Sequence, residues 1–301
     1  MIRLAYRSHL KMLLRLLVTH FLRQMAQEKV MDAVTQAARE HSGQVEGQDL
    51  QPEELPMCDI GIVFATGVES GGVVDQLEAA RHTSSPSLTE YSGVFHGTPV
   101  VVWETGMGRE AAARATEELI RTHSPKWVVS TGFAAALSPE LARGHVLMPN
   151  RIVDLQGSQL DVGFTVADEV AEASPWLHIG DLLTVDEVMR QPARRRLLHQ
   201  ETNALACDME TLGVAEACRA HKQRFMAVRV VSDAVDDTLP PAIENLMEQK
   251  SWAGKLGAAS GALLKSPATI KQWWELKEQA TKLSDRLARF LSGVVTQLPA
   301  E

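Results

Sequence analysis

The sequence predicts an α/β domain built around a mixed, largely parallel β-sheet, and two observations support this prediction. The first is a series of short runs rich in β-branched and apolar residues, each bounded by glycine, proline or polar residues, as is typical of buried strands. The second is the helical periodicity of several segments between these runs. Because strands that alternate with helices are joined by crossover connections, most of the sheet should be parallel.

Nine strands and three helices are predicted along the chain. The strands are segments 60–65, 93–97, 99–105, 126–132, 145–150, 152–156, 178–185, 204–209 and 225–233. The short spacing of the second and third segments predicts a hairpin. The C-terminal part, from about Pro240, is expected to be helical. The predicted helices are 108–123, 211–221 and the amphipathic segment 282–298.

Composition and charge exclude several classes of protein. The 301 residues carry a formal net charge of −8, which argues against general nucleic-acid binding because such binding depends on Lys and Arg. The three cysteines form no CxxC pair and the ten histidines include no HExxH motif, so no disulfide framework and no metal site are expected. We expect a cytoplasmic protein whose partners are small molecules or proteins.

Residues 1–39 are predicted to form a basic amphipathic helical extension. Residues 1–27 contain five basic residues and no acidic one, and their longest uncharged run, 16–22, is shorter than the roughly 20 residues that cross a bilayer. Two interpretations remain: the helix packs on protein, or it makes a peripheral contact with an anionic membrane surface. The polar segment 40–57 is expected to be a linker, which leaves a domain over 58–301.

The turn Gly106–Ala111 (GMGREA) has the spacing of a dinucleotide-binding fingerprint. That interpretation requires an acidic residue at the end of the next strand, which instead ends in Ser130, Thr131 and Gly132. NAD binding is therefore not expected, and no other cofactor is indicated. The small residues, Gly106 among them, still allow main-chain amides to approach an anion or a hydroxyl group at a helix N-terminus.

Three acidic residues lie at or just after the ends of predicted strands. Glu69 follows the first strand, Glu210 follows segment 204–209, and Asp233 closes segment 225–233. Ligands of parallel sheets bind at the carboxyl ends of strands, so the three carboxylates are candidates for one shared cleft. Each acid taken singly also has a structural explanation as a helix cap, a first-turn acid or a solvated loop acid. Their convergence is therefore the functional signal.

Six motifs, taken together, are more specific than these single residues. They are IGIVFATGVE (60–69), ETGMG (104–108), VVSTGFAAAL (128–137), IGDLLT (179–184), CDMET (207–211) and VRVVSDAVDD (228–237). Their order resembles the nucleoside phosphorylase superfamily, most closely its methylthioadenosine/S-adenosylhomocysteine nucleosidase branch. The resemblance covers roughly residues 58–240 and the last helix. It implies a phosphorylase-like three-layer α/β/α domain with a central mixed β-sheet, here with an N-terminal amphipathic helix and extra C-terminal helices, and it implies a homodimer.

The resemblance also implies a reaction, the cleavage of a purine nucleoside's N-glycosidic bond through an oxocarbenium-like ribosyl transition state. It makes Asp233 the general acid at purine N7, Glu69 the residue that positions or activates water, and Glu210 the acceptor for the ribose hydroxyls. Met209 then packs on the sugar, and Asp208 matches another acid of the family. Burial beside other carboxylates is expected to raise the pKa of Asp233, as a general acid requires.

Further residues match supporting positions of the family. Ser232 is expected to orient Asp233. Arg229 matches an arginine near the nucleophile, and a structural ion pair is the equal alternative. Substrate-binding positions near the base and the nucleophile correspond to Leu182, Leu183, Thr184, Phe133, Ala134 and Ala135.

Water is expected as the nucleophile rather than phosphate. Phosphorylases of the superfamily commonly carry a phosphate-binding arginine at the position of Ser130. The hydroxyl residue that follows the glycine of their motif is replaced by Phe133 in this sequence. Asp233 favours a 6-aminopurine, so adenine is the expected leaving group. The substrate is then methylthioadenosine, S-adenosylhomocysteine or another 5′-substituted adenosine. The alternatives are a phosphate-dependent phosphorylase and a catalytically silent nucleoside-binding protein.

Overall fold

The computed structural model describes residues 58–85, 88–162, 174–238 and 267–298. Within them the strands are β1 Ile60–Phe64, β2 Glu78–Ser84, β3 Thr89–Phe95, β4 Thr98–Glu104, β5 Trp127–Ala136, β6 Val146–Val153, β7 Gln159–Asp161, β8 Leu177–Thr184, β9 Ala206–Asp208 and β10 Arg224–Asp233. The helices are α1 Gly67–Val74, α2 Arg109–His123, α3 Pro192–Thr202, α4 Thr211–Ala220 and α5 Pro267–Val295. The predicted extension and linker, 1–57, lie outside the described residues.

All of these strands belong to one mixed sheet. Their spatial order is β10–β6–β8–β9–β5–β1–β4–β3–β2, with β7 paired to β6. Strand β10 also pairs with β5, so β5, β10, β6, β8 and β9 close into a ring. Strand β1 is parallel to both β4 and β5, whereas β2, β3 and β4 form an antiparallel edge. The ring and the open part of the sheet meet at β5.

Helices cover both faces of the open part of the sheet. On one face Ile62 of β1 lies in a buried cluster with Val73 of α1 and Leu287 of α5. On the other face Val63 lies in a cluster with Leu119 of α2 and with residues of α4. Successive side chains of a strand point to opposite faces, so the burial of both neighbours reflects helices on both sides. The predicted three-layer α/β/α fold with a central mixed sheet is confirmed. The expectation that most of this sheet is parallel is wrong, because antiparallel pairings are as frequent as parallel ones among the described strands.

Helix α1 lies unusually close to α5. The main-chain N–H of Gly72 donates to Ser284 Oγ at 2.8 Å, and that hydroxyl donates to the carbonyl oxygen of Glu69 at 2.9 Å. A Cβ atom at Gly72 would lie 2.5 Å from the main-chain oxygen of Ser284, so this approach requires glycine. The contact fixes the short helix that carries Glu69 against the C-terminal helix.

Some elements differ from the sequence-based prediction. Strand β2 was not expected, because it is an exposed polar edge strand without apolar alternation. Strand β6 is continuous where two strands were expected, since a register shift between Pro149 and Arg151 absorbs the irregularity. Helix α5 begins at Pro267, well before the predicted start. None of the helices in the described ranges has the length and apolar character that crossing a membrane requires.

Candidate active site

A cavity of about 290 Å³ lies at the carboxyl ends of β1, β5, β8, β9 and β10. Glu69, Glu210 and Asp233 all line it, so the structure brings the three acids together as the strand ends predict. Other residues expected at the site also line this cavity. They are Phe133, Ala134, Ala135, Asp208, Met209 and Ser232.

Glu69 is held by three hydrogen bonds at the start of α1. Its Oε2 accepts from the main-chain N–H of Thr66 at 2.9 Å and from the Thr66 hydroxyl at 3.0 Å. Its Oε1 accepts from the main-chain N–H of Phe133 at 2.8 Å. Burial raises the pKa of Glu69, while these donors and the charge of Arg229 act in the opposite direction.

Gly132 makes room for this carboxylate. It has φ of +147°, and a Cβ atom there would lie 2.6 Å from Glu69 Oε1. A side chain at this position would displace the carboxylate or the strand. The glycine of the VVSTG motif is thus explained by the close approach of an acid from another element.

Glu210 lies just before α4 and faces the same cavity. Its Oε1 accepts from the main-chain N–H of Gly108 at 2.8 Å, and its Oε2 accepts from that of Met209 at 3.2 Å. Burial raises the pKa of Glu210 to about 8, and the negative charges of Asp208 and Glu69 act in the same direction. The carboxyl group is therefore poised to change protonation near neutral pH.

The glycine turn before α2 has the predicted property, although its anion belongs to the protein itself. Gly108 has φ of +97° and precedes the helix, and its N–H donates to the Glu210 carboxylate. Gly106, with φ of +79°, donates its N–H to the carbonyl oxygen of Ala65 at 3.0 Å. The cavity wall includes Met107 and not Gly106, whose contribution is to shape the turn.

Asp208, which lines the cavity, forms a buried ion pair with Arg229, which does not. Arg229 Nε and Nη2 donate to Asp208 Oδ2 at 3.0 and 2.8 Å, and both side chains are almost fully buried. Arg229 Nη2 also donates to Ser130 Oγ at 2.9 Å and to Thr211 Oγ1 at 2.7 Å. This geometry favours the structural ion pair over a direct contact with the nucleophile. Arg229 still lowers the pKa of Glu69 through its charge.

Asp233 has a different environment at the end of β10. Its Oδ2 accepts from Ser232 Oγ at 2.6 Å, and the same hydroxyl lies 3.2 Å from the carbonyl oxygen of Ala134. Burial raises the pKa of Asp233, with the charges of Arg195 and Arg143 acting against it. The expected orientation of Asp233 by Ser232 matches this contact.

Besides Gly106 and Arg229, three expected residues at the end of β8 do not reach the cavity. Leu182 and Leu183 are fully buried in β8, and their main chain pairs with β6 and β9. Thr184 donates from Oγ1 to Asp208 Oδ1 at 2.9 Å, which supports the ion pair instead. The wall is supplied by the segment directly after β8, through Val185, Glu187, Val188 and Met189. The contact with the cavity that was expected at residues 182–184 is therefore made by residues 185–189 of the same segment.

Helix α5 contributes wall residues that the sequence analysis missed. Its amphipathic pattern indicates a helix, but the pattern does not say which strand ends that helix covers. Packing of α5 against α1 brings about two turns of it over the cavity. The residues concerned are Leu276, Lys277, Gln279, Ala280 and Leu283.

Comparison with known families adds to this geometry. A model described as the phosphorylase superfamily matches residues 59–266, which is more than half of the chain. The chain belongs to this superfamily. The phosphorylase-like character expected of the fold is confirmed.

Among the proteins similar to this chain is the 5′-methylthioadenosine/S-adenosylhomocysteine nucleosidase of Tolumonas auensis. It is 26% identical over 211 residues, which are 63% of this chain and 92% of that protein. The nucleosidase of the same name from Shewanella piezotolerans is 24% identical over 59% of this chain and 87% of its own length.

Several solved structures show the same fold. The S-adenosylhomocysteine nucleosidase of Streptococcus pyogenes, in complex with 5-methylthiotubericidin, matches with a TM-score of 0.60 at 17% identity. That match covers 81% of this chain and 99% of the other. A futalosine hydrolase mutant of Helicobacter pylori matches with a TM-score of 0.58 at 18% identity, over 80% and 100% of the two chains.

Proposed function

We propose that this protein is a purine nucleosidase, which hydrolyses the N-glycosidic bond of an adenosine-type nucleoside and releases adenine. The observation that carries the proposal is the single cavity in which Glu69, Glu210 and Asp233 meet. The names of its curated relatives, nucleosidases of 5′-methylthioadenosine and S-adenosylhomocysteine, support the same reaction class.

Asp233 is the general acid in this proposal. Cleavage leaves the electron pair of the broken bond on the purine, and a proton at N7 makes adenine a better leaving group. Burial of Asp233 favours its protonated form. In that form Oδ2 continues to accept from Ser232 Oγ at 2.6 Å, and the proton for N7 is carried by the other carboxyl oxygen, Oδ1. The contact with Ser232 therefore serves both protonation states.

Glu69 is the residue that orients and deprotonates water. Its hydrogen bonds to Thr66 and Phe133 fix both carboxylate oxygens and stabilise the ionised form. Oε2 already accepts two hydrogen bonds, whereas Oε1 accepts one and retains a lone pair for a water molecule. Water then forms the new bond to C1′ and transfers a proton to Glu69, while adenine receives its proton from Asp233.

Glu210 and Met209 are placed to hold the ribose. The Glu210 carboxylate is fixed by the N–H of Gly108 and has acceptor capacity left for two hydroxyl groups. Met209 lines the same part of the cavity and supplies an apolar surface for the sugar. In its ionised form, which is the main one above about pH 8, Glu210 also places negative charge near a cationic transition state.

Water is favoured over phosphate because Arg229 is already engaged. Its guanidinium donates to Asp208, Ser130 and Thr211, and the residue is 2% exposed. A phosphate ion in the cavity therefore finds no pair of free N–H donors on Arg229. Phosphorolysis would require a cation that binds phosphate beside C1′. The phosphate-dependent alternative is therefore the less favoured outcome of the test below.

The test is adenine release by the purified full chain. The substrates are methylthioadenosine, S-adenosylhomocysteine, 5′-deoxyadenosine and adenosine, each with and without inorganic phosphate. Adenine release that is independent of phosphate is expected, and its rates rank the 5′ groups. Strict dependence on phosphate would indicate a phosphorylase. Binding of these nucleosides without release of adenine would indicate a silent binding protein.

We also propose a homodimer of the 58–301 domain in the cytoplasm, with residues 1–39 as a helical extension on the linker 40–57. Equilibrium sedimentation of the full chain is expected to yield twice the chain mass. Peripheral membrane contact through residues 1–27 predicts co-sedimentation with phosphatidylglycerol vesicles. A variant with all basic residues of that segment changed to Gln is the control, and equal binding by both chains would exclude the contact.

A further inference from the structure

Arg195 is a fully buried arginine on α3, outside the cavity wall. Its neighbours on the same helix behave in the ordinary way, since the Arg194 and Arg196 side chains are 42% and 53% exposed and pair with surface acids. Burying a guanidinium is costly unless its hydrogen bonds are satisfied. A position that keeps such a group therefore calls for a specific explanation.

The hydrogen bonds of Arg195 join two segments that form the site. Its Nε donates to the carbonyl oxygen of Met189 at 2.7 Å, in the wall segment that follows β8. Its Nη1 donates to the carbonyl oxygens of Ala234 at 2.7 Å and Asp237 at 3.2 Å, directly after Asp233. Its Nη2 is buried without a hydrogen-bond partner among the described residues.

We propose that Arg195 is a positioning residue for Asp233, which ties the turn after β10 to the wall after β8 and keeps a positive charge beside the acid. This inference rests on the proposed function for its catalytic part. The three carbonyl bonds fix the main chain on the far side of Asp233, so the direction of its carboxyl group depends on a residue that does not touch the substrate.

Other charged groups also face Asp233. Arg143, from the segment between β5 and β6, and Asp237, from the turn itself, both act on it. Arg143 Nη2 donates to Asp237 Oδ2 at 2.7 Å, and the N–H of Ala234 donates to the same oxygen at 2.8 Å. The two arginines lower the pKa of Asp233, whereas burial and Asp237 raise it. Of the two cations, Arg195 is the buried one.

The experiment compares Arg195→Met with Arg194→Met, which removes an exposed arginine from the same helix. Removal of the buried charge raises the pKa of Asp233, so the alkaline limb of the kcat/KM profile for adenine release moves to higher pH. At the optimum, kcat/KM is expected to fall about 10- to 100-fold because the acid is misdirected. The Arg194→Met profile is expected to match that of the unmodified chain.

Amide hydrogen exchange provides a measurement that does not depend on turnover. In Arg195→Met, exchange of the peptide that spans residues 233–238 is expected to be about tenfold faster or more, with no such change in β1 or α2. Arg195→Lys keeps the charge and loses the fork of donors. For Arg195→Lys we expect the alkaline limb at the same pH as in the unmodified chain, together with the faster exchange over residues 233–238. If Arg195→Met fails to fold, the exchange measurement is made on Arg195→Lys alone.

The inference is overturned if exchange over 233–238 is unchanged in both Arg195 variants. It is also overturned if the alkaline limb of the kcat/KM profile lies at the same pH in Arg195→Met and in Arg194→Met. If the unmodified chain releases no adenine from any nucleoside, the proposed function fails on its own. The exchange data then still decide whether Arg195 fixes the turn.

Discussion

The two ends of the cavity hold carboxyl groups in contrasting ways. Within the described part of the chain, Glu69 accepts three hydrogen bonds, two of them from main-chain amides, whereas Asp233 accepts one, from a serine hydroxyl. Burial raises the pKa of both groups. Donors stabilise an ionised carboxylate, so the same burial leaves Glu69 suited to act as a base and Asp233 suited to hold a proton. Hydrogen-bond supply, rather than residue type, separates the two roles.

The supports of the two ends differ as well. Glu69 lies on a helix that is clamped against α5 through Gly72 and Ser284. Asp233 lies at a strand end, followed by a turn that Arg195 holds from behind. One end is fixed by close main-chain packing and the other by long side chains. Substitutions at each end therefore have different consequences, which makes the contrast testable.

The largest expected effect is that of Asp233→Asn. The amide keeps the size of the carboxyl group and cannot donate a proton to N7, so kcat for adenine release should fall by about 10⁴-fold. The exposed Asp236→Asn is the matched control and should retain full activity. Rates for Asp233→Asn close to those of the unmodified chain would sink the assignment of the acid.

The next effect is that of Glu69→Gln, for which we expect a loss of about 10³-fold in kcat. The substitution removes the base, and it also turns an amide NH₂ toward one of the N–H donors of Thr66 or Phe133. Glu110→Gln, at an exposed position of α2, is the control. In the pH profile of the unmodified chain, the acidic limb belongs to ionisation of Glu69 and the alkaline limb to that of Asp233. An acidic limb that persists unchanged in Glu69→Gln would contradict this assignment.

Glu210→Gln should lower activity and raise stability. Loss of a charged acceptor for the ribose is expected to reduce kcat/KM about 10- to 100-fold. The pKa of Glu210 is raised from 4.5 to about 8, so the folded state binds the proton more tightly than the unfolded state. The stability contributed by this group is complete below pH 4.5 and is lost as the pH rises toward 8. Above pH 8 the Gln variant should therefore unfold about 2–4 °C higher.

The control for that experiment is two residues away. Asp208→Asn breaks the buried pair with Arg229, and we expect it to cost about 3–5 kcal/mol of unfolding free energy. Thermal unfolding at pH 6 and pH 9 separates the two variants. Equal destabilisation by both would mean that Glu210 is a structural acid like its neighbour.

The smallest expected effect concerns the clamp behind Glu69. Gly72→Ala would place Cβ at 2.5 Å from the Ser284 main chain, so it should lower the free energy of unfolding by about 1–3 kcal/mol. Gly71→Ala is the control, because its Cβ would meet only the Ser284 hydroxyl, at 3.9 Å. Alanine in that helix position should stabilise the protein by about 0.5–1 kcal/mol. Urea unfolding measures both, and two equal effects would show that α1 is not clamped.

Much of the site could be predicted because strand ends are visible in sequence. Glu69 follows β1 and Asp233 closes β10, and both strands are parallel to β5, which brings their carboxyl ends to one edge of the sheet. Glu210 follows β9, which is antiparallel to β5, so the closure of the ring of strands brings it to the same cavity. Leu182 and Leu183 show the limit of this reasoning. The resemblance to the nucleosidases places them near the base, but both are fully buried in β8, with side chains on opposite faces of the strand, and the wall begins only after Thr184. Where a strand ends relative to a cavity depends on its neighbours.

The sequence by itself determined the fold class, the order of the main strands and the three acids at their ends. Local periodicity encodes these features, and it needs no knowledge of distant contacts. Tertiary structure alone decided that Gly132 yields space to Glu69, that Gly108 binds Glu210, and that Arg195 is buried behind Asp233. Each of these contacts joins residues far apart in the chain, and hydrogen-bond supply and burial follow from packing rather than from spacing.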